Sequence, residues 1–500
     1  MLYAFVAGAS SSSPVWSVNL AQIPNSQGTP VDCRNWPESC QQNNSPIYPY
    51  LGITGTPVVD PNAGILYVVT WVQLAVNPYN VQYYLHAINI TNGQEKTGSP
   101  VQVAASLSAG LATTPAACTT GSGPGPLTFN PRHHLQRTGL LLLSLSNGTP
   151  VIYIGFNPIR GELQNGWILG YSYNTGTGFS TTPVAAISTT PYGTGGGVWG
   201  AGTGLASDGS YIFASTGNGT FDANNGGSDY GDRLLKLAVN STTGALSVSS
   251  YFTPSDWNTR CGVDLDFGSG GILLFFDSFF QGHPDLMVSA DKESYLWIVD
   301  RDTLGGVNGQ VEQTMQPSNA PQGSNPGYWS SPAYWKYSVP NGFQYNLYYA
   351  ADAQALNKAP LPLNMYALAT SGSGGPIPTG PTASTKTLFC GNPHAPTPSI
   401  SANGATANSG IVWAIESSNS RNVPTGPQCN GTIGPAVLHA YNATPTTPLT
   451  ELYNSSGLQT TVGQAVNFPT PTVFKGRLYM GTKSEVDVFG LCPSGGCPLQ

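Results

Sequence analysis

The sequence predicts an all-β chain of the β-propeller class, built from four-stranded antiparallel blades, seven in this chain and eight if further sequence precedes it. Three observations predict this. The composition favours short strands and turns, a repeat recurs about every 69 residues, and each repeat holds the same succession of short apolar runs.

Charged residues make up 8% of the 500, against about 25% in an ordinary soluble protein. The 61 glycines and 42 prolines make turns frequent and long helices few. A hydrophobic fraction of 40%, with 10% aromatics, is ample for a core and argues against wholesale disorder. The formal net charge of -7 is spread thinly, and no basic stretch could track a phosphate backbone, so nucleic acid is set aside as a partner. No run approaches the roughly 18 apolar residues of a membrane span.

A Thr/Ser-Pro step heads a short apolar run at Thr56-Pro57, Ser331-Pro332, Thr397-Pro398 and Thr470-Pro471. The last three steps follow one another at nearly equal spacing, and the longer gap from Pro57 to Pro332 accommodates four such intervals. Three further units are therefore expected near positions 126, 195 and 264, beside the runs Leu140 to Leu145, Gly195 to Gly204 and Gly268 to Phe276.

Within a unit the second strand is rich in Tyr, Ile and Val, as in Leu66 to Val69, Val151 to Ile154, Tyr211 to Ala214, Ile411 to Ala414 and Leu478 to Gly481. The third alternates and ends at a turn: Leu85 to Asn89, Leu235 to Asn240, Leu438 to Asn442. A fourth, such as Thr182 to Ile187 or Leu246 to Phe252, completes the sheet. Alternation with period two between Gly, Asn and Thr turns marks antiparallel strands. Sheets of four strands, repeated radially, bury both faces and leave only short edges.

The last unit supplies three strands, Phe468 to Phe474, Arg477 to Thr482 and Glu485 to Phe489. Pro14 to Leu20 is expected to close the ring as the fourth, so residues 1–490 read as one domain and 491–500 as a short Cys-containing tail. Leu2 to Val6 reads as a third strand whose blade lacks its inner two, and it lacks the basic region and cleavage site of a signal peptide. Either residues are missing upstream, or the N-terminal strands (residues 2–20) pair with a neighbouring chain.

Eight cysteines include the close pairs Cys33 with Cys40 and Cys492 with Cys497; Cys118, Cys261, Cys390 and Cys429 remain, with their pairing open. None shows zinc-like spacing, so disulfides are expected. Eight N-x-S/T sequons occur, of which Asn43 and Asn147 are discounted for the proline that follows; Asn89, Asn218, Asn240, Asn430, Asn442 and Asn454 are the candidate glycan acceptors. The acidic loop Asp222 to Asp232 offers hard oxygen ligands, with Asp222, Asp229 and Asp232 as candidate calcium ligands outside any EF-hand spacing. His133-His134 has no nearby carboxylate or cysteine and reads as a surface pair. The glycines of Gly193 to Gly204 lack the Lys-Ser/Thr of a phosphate loop and are expected to let a strand pass close to its neighbours.

Several stretches carry a family resemblance: Gly52 to Pro57, Leu85 to Asn89, Ser215 to Phe221, Asp229 to Asp232, Asp264 to Gly271 and Ile298 to Asp302. They resemble secreted proteins with pyrroloquinoline-quinone-type propeller repeats, similar to the bacterial outer-membrane assembly propeller and to quinoprotein dehydrogenases. The third strand in that family usually ends in Asp, where this chain has Asn89, Asn240 and Asn442, each opening a sequon. Glycans on blade edges and Asn serving as the turn residue are both open at these positions.

The resemblance to the quinoprotein enzymes implies a vicinal cysteine disulfide, a stacking tryptophan and a calcium held by carboxylate and amide oxygens near a catalytic Asp. This chain has no adjacent cysteines, and no calcium triad maps onto it residue by residue. The expectation is therefore a secreted, glycosylated, non-catalytic module with a structural or interaction role and no required cofactor, self-assembling into a fibre by strand addition. The alternatives are a quinone- and calcium-dependent oxidoreductase-like propeller and a carbohydrate- or protein-binding adhesin.

Overall fold

A computed structural model describes residues 1–7, 13–23, 26–32, 50–74, 80–108, 127–158, 164–200, 202–281, 283, 285–309, 311–315, 327, 329–351, 360–372, 374–390, 395–417, 420–423, 426–429, 434–458 and 462–490. The chain is all-β and of the propeller class. Among the described residues it forms seven blade sheets, three small two-stranded sheets and one short α-helix, Trp257–Gly262. It divides into two compact units, Met1–Gly268 with Arg301–Gln310, and Ser269–Asp300 with Val311–Gln500.

The first unit holds three blades. Blade one is centred on the long hairpin of Ile65–Leu74 and Val81–Asn89, flanked by Val58–Asp60 on one side and Val101–Gln102 on the other. Blade two is built on Pro150–Pro158 and Trp167–Asn174, with Leu141–Ser144 and Ala185–Ser188 outside them. Blade three runs Ala206–Ser207, Tyr211–Ser215, Leu234–Val239 and Leu246–Thr253, and gains Gly306–Val307 as a parallel fifth strand.

The second unit holds the other four. Blades four, five and six each have four strands, the central pairs being Leu286–Ala290 with Leu296–Asp300, Gly342–Ala350 with Leu361–Leu368, and Ile411–Glu416 with Val437–Asn442. Blade seven has three among the described residues: Thr472–Phe474, Arg477–Gly481 and Val486–Gly490.

The central strands of blade two show why such strands are buried on both faces: a neighbouring sheet packs on either side. Ile154 and Tyr171 face the blade-one core with Tyr67 and Trp71, while Tyr153 and Ile168 face blade three with Ile212 and Leu235. Period-two alternation is consequently muted in these strands, and side chains such as Tyr67, Trp71, Tyr153 and Trp167 are almost wholly enclosed. Each such burial contributes about 2–3 kcal/mol.

Blade three starts at Ala206–Ser207, after the glycine-rich residues 195–200 and 202–204, which form no named strand. Leu2–Ala4 and Trp16–Val18 pair with one another as an antiparallel hairpin. That hairpin docks on blade one: Trp16 donates its indole N–H to the Ile90 carbonyl at 3.0 Å and lies over Gly93, where a Cβ would stand 2.5 Å from the ring. Gly93 has φ 72, the left-handed region that favours glycine.

Candidate functional site

The polar centre of the first unit forms where the Gly-rich segment before blade three, the loop Gly217 to Asp232 and the loop Asp264 to Phe267 meet. Close backbone contact builds it. Gly195 pairs with Gly219, and a Cβ on Gly219 would lie 2.3 Å from the Gly196 nitrogen. A Cβ on Gly231 would in turn lie 2.3 Å from the Gly219 carbonyl carbon. These glycines allow main chains to touch, as the sequence suggested, although not within a strand.

Asn218 stands at the focus. Its backbone N–H donates to Asp266 Oδ1 at 2.6 Å and its side-chain Nδ2 donates to Asp264 Oδ1 at 2.8 Å. The residue is 8% exposed, and its Oδ1 makes no hydrogen bond among the described residues. Asp264, exposed at the rim, is held at φ 59, a left-handed conformation uncommon outside glycine and concentrated at functional sites.

Trp199 is beside them. A Cβ placed on Gly217 would be 2.8 Å from both Asp266 Oδ1 and Trp199 Nε1, so the carboxylate and the indole flank the same bare stretch of backbone. The Arg137 guanidinium lies 5.6 Å from the Trp199 ring centroid. Burial lowers the Arg137 pKa to about 10, which leaves it charged at neutral pH.

Beneath this rim Asp232 and Arg233 are enclosed. Asp232 accepts from the Phe267 N–H at 2.8 Å and so anchors the loop that presents Asp264 and Asp266; its Oδ2 makes no hydrogen bond among the described residues. Burial, and then the charge of Asp266, push its pKa well above the usual carboxylate range. Arg233 packs its guanidinium 3.4 Å from the Phe221 centroid and 5.0 Å from that of Trp257. Burial lowers its pKa, with Asp232 opposing.

The candidate calcium set does not assemble. Asp222 accepts from the Asp229 N–H, Asp229 from the Tyr192 N–H, and Asp232 from the Phe267 N–H, so each carboxylate caps a different stretch of backbone. Among the described residues no three His, Cys, Asp or Glu side chains converge as a metal site. Burial raises the Asp229 pKa to about 6. The carboxylates gathered around one residue are instead Asp264 and Asp266, which accept from the side-chain and backbone N–H groups of Asn218. Composition and local spacing missed them because the two carboxylates lie far along the chain from Asn218; the available signal was that both segments lie in stretches carrying the family resemblance.

Of the other candidates, Asn89, Asn240 and Asn442 each accept the backbone N–H two residues on, which accounts for Asn as the turn residue; Asn240 is exposed. Asn454 is exposed and caps Ser456. Asn218 is buried with its amide committed to Asp264, a position that does not suit a glycan. Cys261 and Cys390 are each disulfide-bonded. Cys33, Cys40, Cys118, Cys492, Cys497, Asn43 and Asn430 lie outside the described residues, as does the Cys429 side chain. His134 is not a surface residue: it is 1% exposed, its ring nitrogens lie 2.7 and 2.8 Å from the Asn130 and Asn165 carbonyls, and its ring packs on Phe129.

No family model and no curated protein matches the chain. Among solved structures it is similar to the quinohemoprotein alcohol dehydrogenase of Comamonas testosteroni, at 13% identity and TM-score 0.43, over 86% of this chain and 70% of that one. It is also similar to Sqt1 of Saccharomyces cerevisiae, at 9% identity and TM-score 0.42, over 88% and 83%. A third likeness is to the extracellular domains 1-2 of Drosophila semaphorin 1a, at 9% identity and TM-score 0.39, over 88% and 86%. These likenesses are of fold alone.

Proposed function

We propose that the chain is a cation-dependent binding propeller of the quinoprotein-like kind, with Asp264, Asp266 and the Asn218 amide oxygen as its cation ligands. The observation that carries this reading is the buried Asn218 Oδ1, without a hydrogen bond among the described residues, on a residue whose side-chain and backbone N–H groups hold the Asp264 and Asp266 carboxylates. Hard oxygen donors of this kind suit calcium, which takes six to eight of them and accepts irregular geometry. The residues present therefore fit such an ion. A bound calcium would supply a Lewis-acid centre to an oxygen-bearing ligand.

The chain's own residues do the rest. Trp199 offers an aromatic surface beside Asp266, and Arg137 offers a positive charge, so the ligand class that suits the rim is a planar, anionic small molecule. Asp232 holds the ligand loop through the Phe267 N–H. The absence of adjacent cysteines departs from the quinoprotein enzymes, and the proposal is accordingly for binding. Disulfides at Cys261 and Cys390 favour an oxidising, extracellular setting, with glycans on exposed asparagines such as Asn240 and Asn454.

Terbium, a calcium surrogate whose emission is sensitised by nearby tryptophan, tests the site. Titration is expected to give saturable emission that calcium displaces. Asn218→Ala or Asp264→Asn should weaken binding by roughly tenfold or more, equivalent to about 1.4 kcal/mol. Trp199→Phe should dim the emission and leave the calcium competition curve in place. Absence of displaceable binding at millimolar terbium rejects the proposal.

A further inference from the structure

The N-terminal hairpin and the last strand of blade seven each present an open edge among the described residues. In blade seven, Val486–Gly490 pairs there only with Arg477–Gly481, whereas the other six blade sheets have four or more strands. Its outward residues Val486 and Val488 are 57% and 53% exposed. In the hairpin, Leu2–Ala4 pairs only with Trp16–Val18 among the described residues. Its inward residues Leu2, Trp16 and Val18 pack on Leu20, Val68 and Ile88, while Tyr3 and Phe5 project outward, 52% and 51% exposed, with ring centroids 6.4 Å apart.

Neither edge carries a lysine or a bulge, two of the devices by which exposed strands are ordinarily protected. Residues 1–20 contain no charged side chain. The last strand contains one, Asp487, which is half-buried and lies 3.5 Å from the Gly463 N–H. Both edges are poor in charge and carry exposed apolar side chains, so neither repels the other.

We infer that these edges are the two halves of one interface, in which the N-terminal hairpin of one copy adds to the last strand of blade seven in a second copy. Main-chain hydrogen bonds give such a contact its affinity, and the alternating side chains give its register. The surfaces joined are different, so the contact is heterologous and propagates from copy to copy unless a ring closes it. The occupant of the blade-seven edge is thus a second molecule of this chain. This inference is independent of the cation site.

Light scattering over a wide range of protein concentration, with the full chain, tests it. The wild type should assemble as concentration rises. Tyr3→Glu and Val488→Lys, both at exposed positions, should each be monomeric with unchanged circular dichroism. Mixing the two variants should restore association, a one-to-one heterodimer at the least, because the Tyr3 edge of the Val488→Lys variant and the Val488 edge of the Tyr3→Glu variant are both unaltered. A wild type that stays monomeric throughout, variants that assemble like the wild type, or a mixture that forms no dimer would each overturn the inference.

Discussion

Asn218 heads a sequon, yet its side-chain amide donates to Asp264 and its backbone N–H to the buried Asp266, whereas the sequon residues Asn89, Asn240 and Asn442 cap turns. Gly217 is decisive beside it, since any Cβ would stand 2.8 Å from Asp266 Oδ1 and Trp199 Nε1. Gly217→Ala should leave the strand content of the circular dichroism spectrum intact and weaken terbium binding by roughly tenfold; unchanged affinity would detach Gly217 from the site. His134 makes a separate prediction. Burial pushes its pKa down to about 4, against two backbone carbonyls and from an unfolded value near 6.5. The unfolded chain therefore binds the proton more tightly. The stability this neutral ring provides is fully present above pH 6.5 and is lost as pH falls towards 4, by about 3 kcal/mol in all. Urea unfolding of wild type and His134→Gln at pH 7 and pH 4.5 should show a smaller pH dependence in the variant; parallel curves would refute the assignment.

At the scale of elements, most strands were legible because their apolar runs are short and bounded by Gly, Asn and Thr. Ile65–Leu74, Pro150–Pro158, Tyr211–Ser215 and Leu246–Thr253 all contain the runs the sequence marks. One repeat reaches beyond hydrophobicity. His86 and His439 occupy the same position in blades one and six, and each points Nδ1 at a carboxylate, Glu95 at 2.5 Å and Glu451 at 2.7 Å. The N-terminal segment was read as two strands, and their pairing with one another and docking on blade one depend on where Trp16 sits and on the room Gly93 leaves for it. Trp16→Ala should free the hairpin at a cost of about 2 kcal/mol. Hydrogen exchange should then quicken in residues 2–4 and 16–18 while the central strands of blade one keep their protection. Equal protection in the variant would show that the hairpin is held by something other than Trp16.

At the scale of the whole molecule, stacked sheets explain why so few charges suffice: the central strands are covered on both faces, and polar groups are needed chiefly in turns and at the edges. The charge-poor edges of the hairpin and of blade seven run against that economy, and the mixed-variant scattering experiment decides whether they meet between copies. The sequence by itself determined the fold class, the approximate repeat and most strand cores, because period, turn residues and apolar runs act over a few residues at a time. Tertiary structure alone decided the site. Asn218, Asp264, Asp266 and Trp199 come from three separate segments, and glycine-permitted backbone contacts bring them together. It also decided that His134 is buried and that Asp222, Asp229 and Asp232 serve separate amides, because burial and convergence depend on chain segments far apart in sequence, which local residue patterns do not encode.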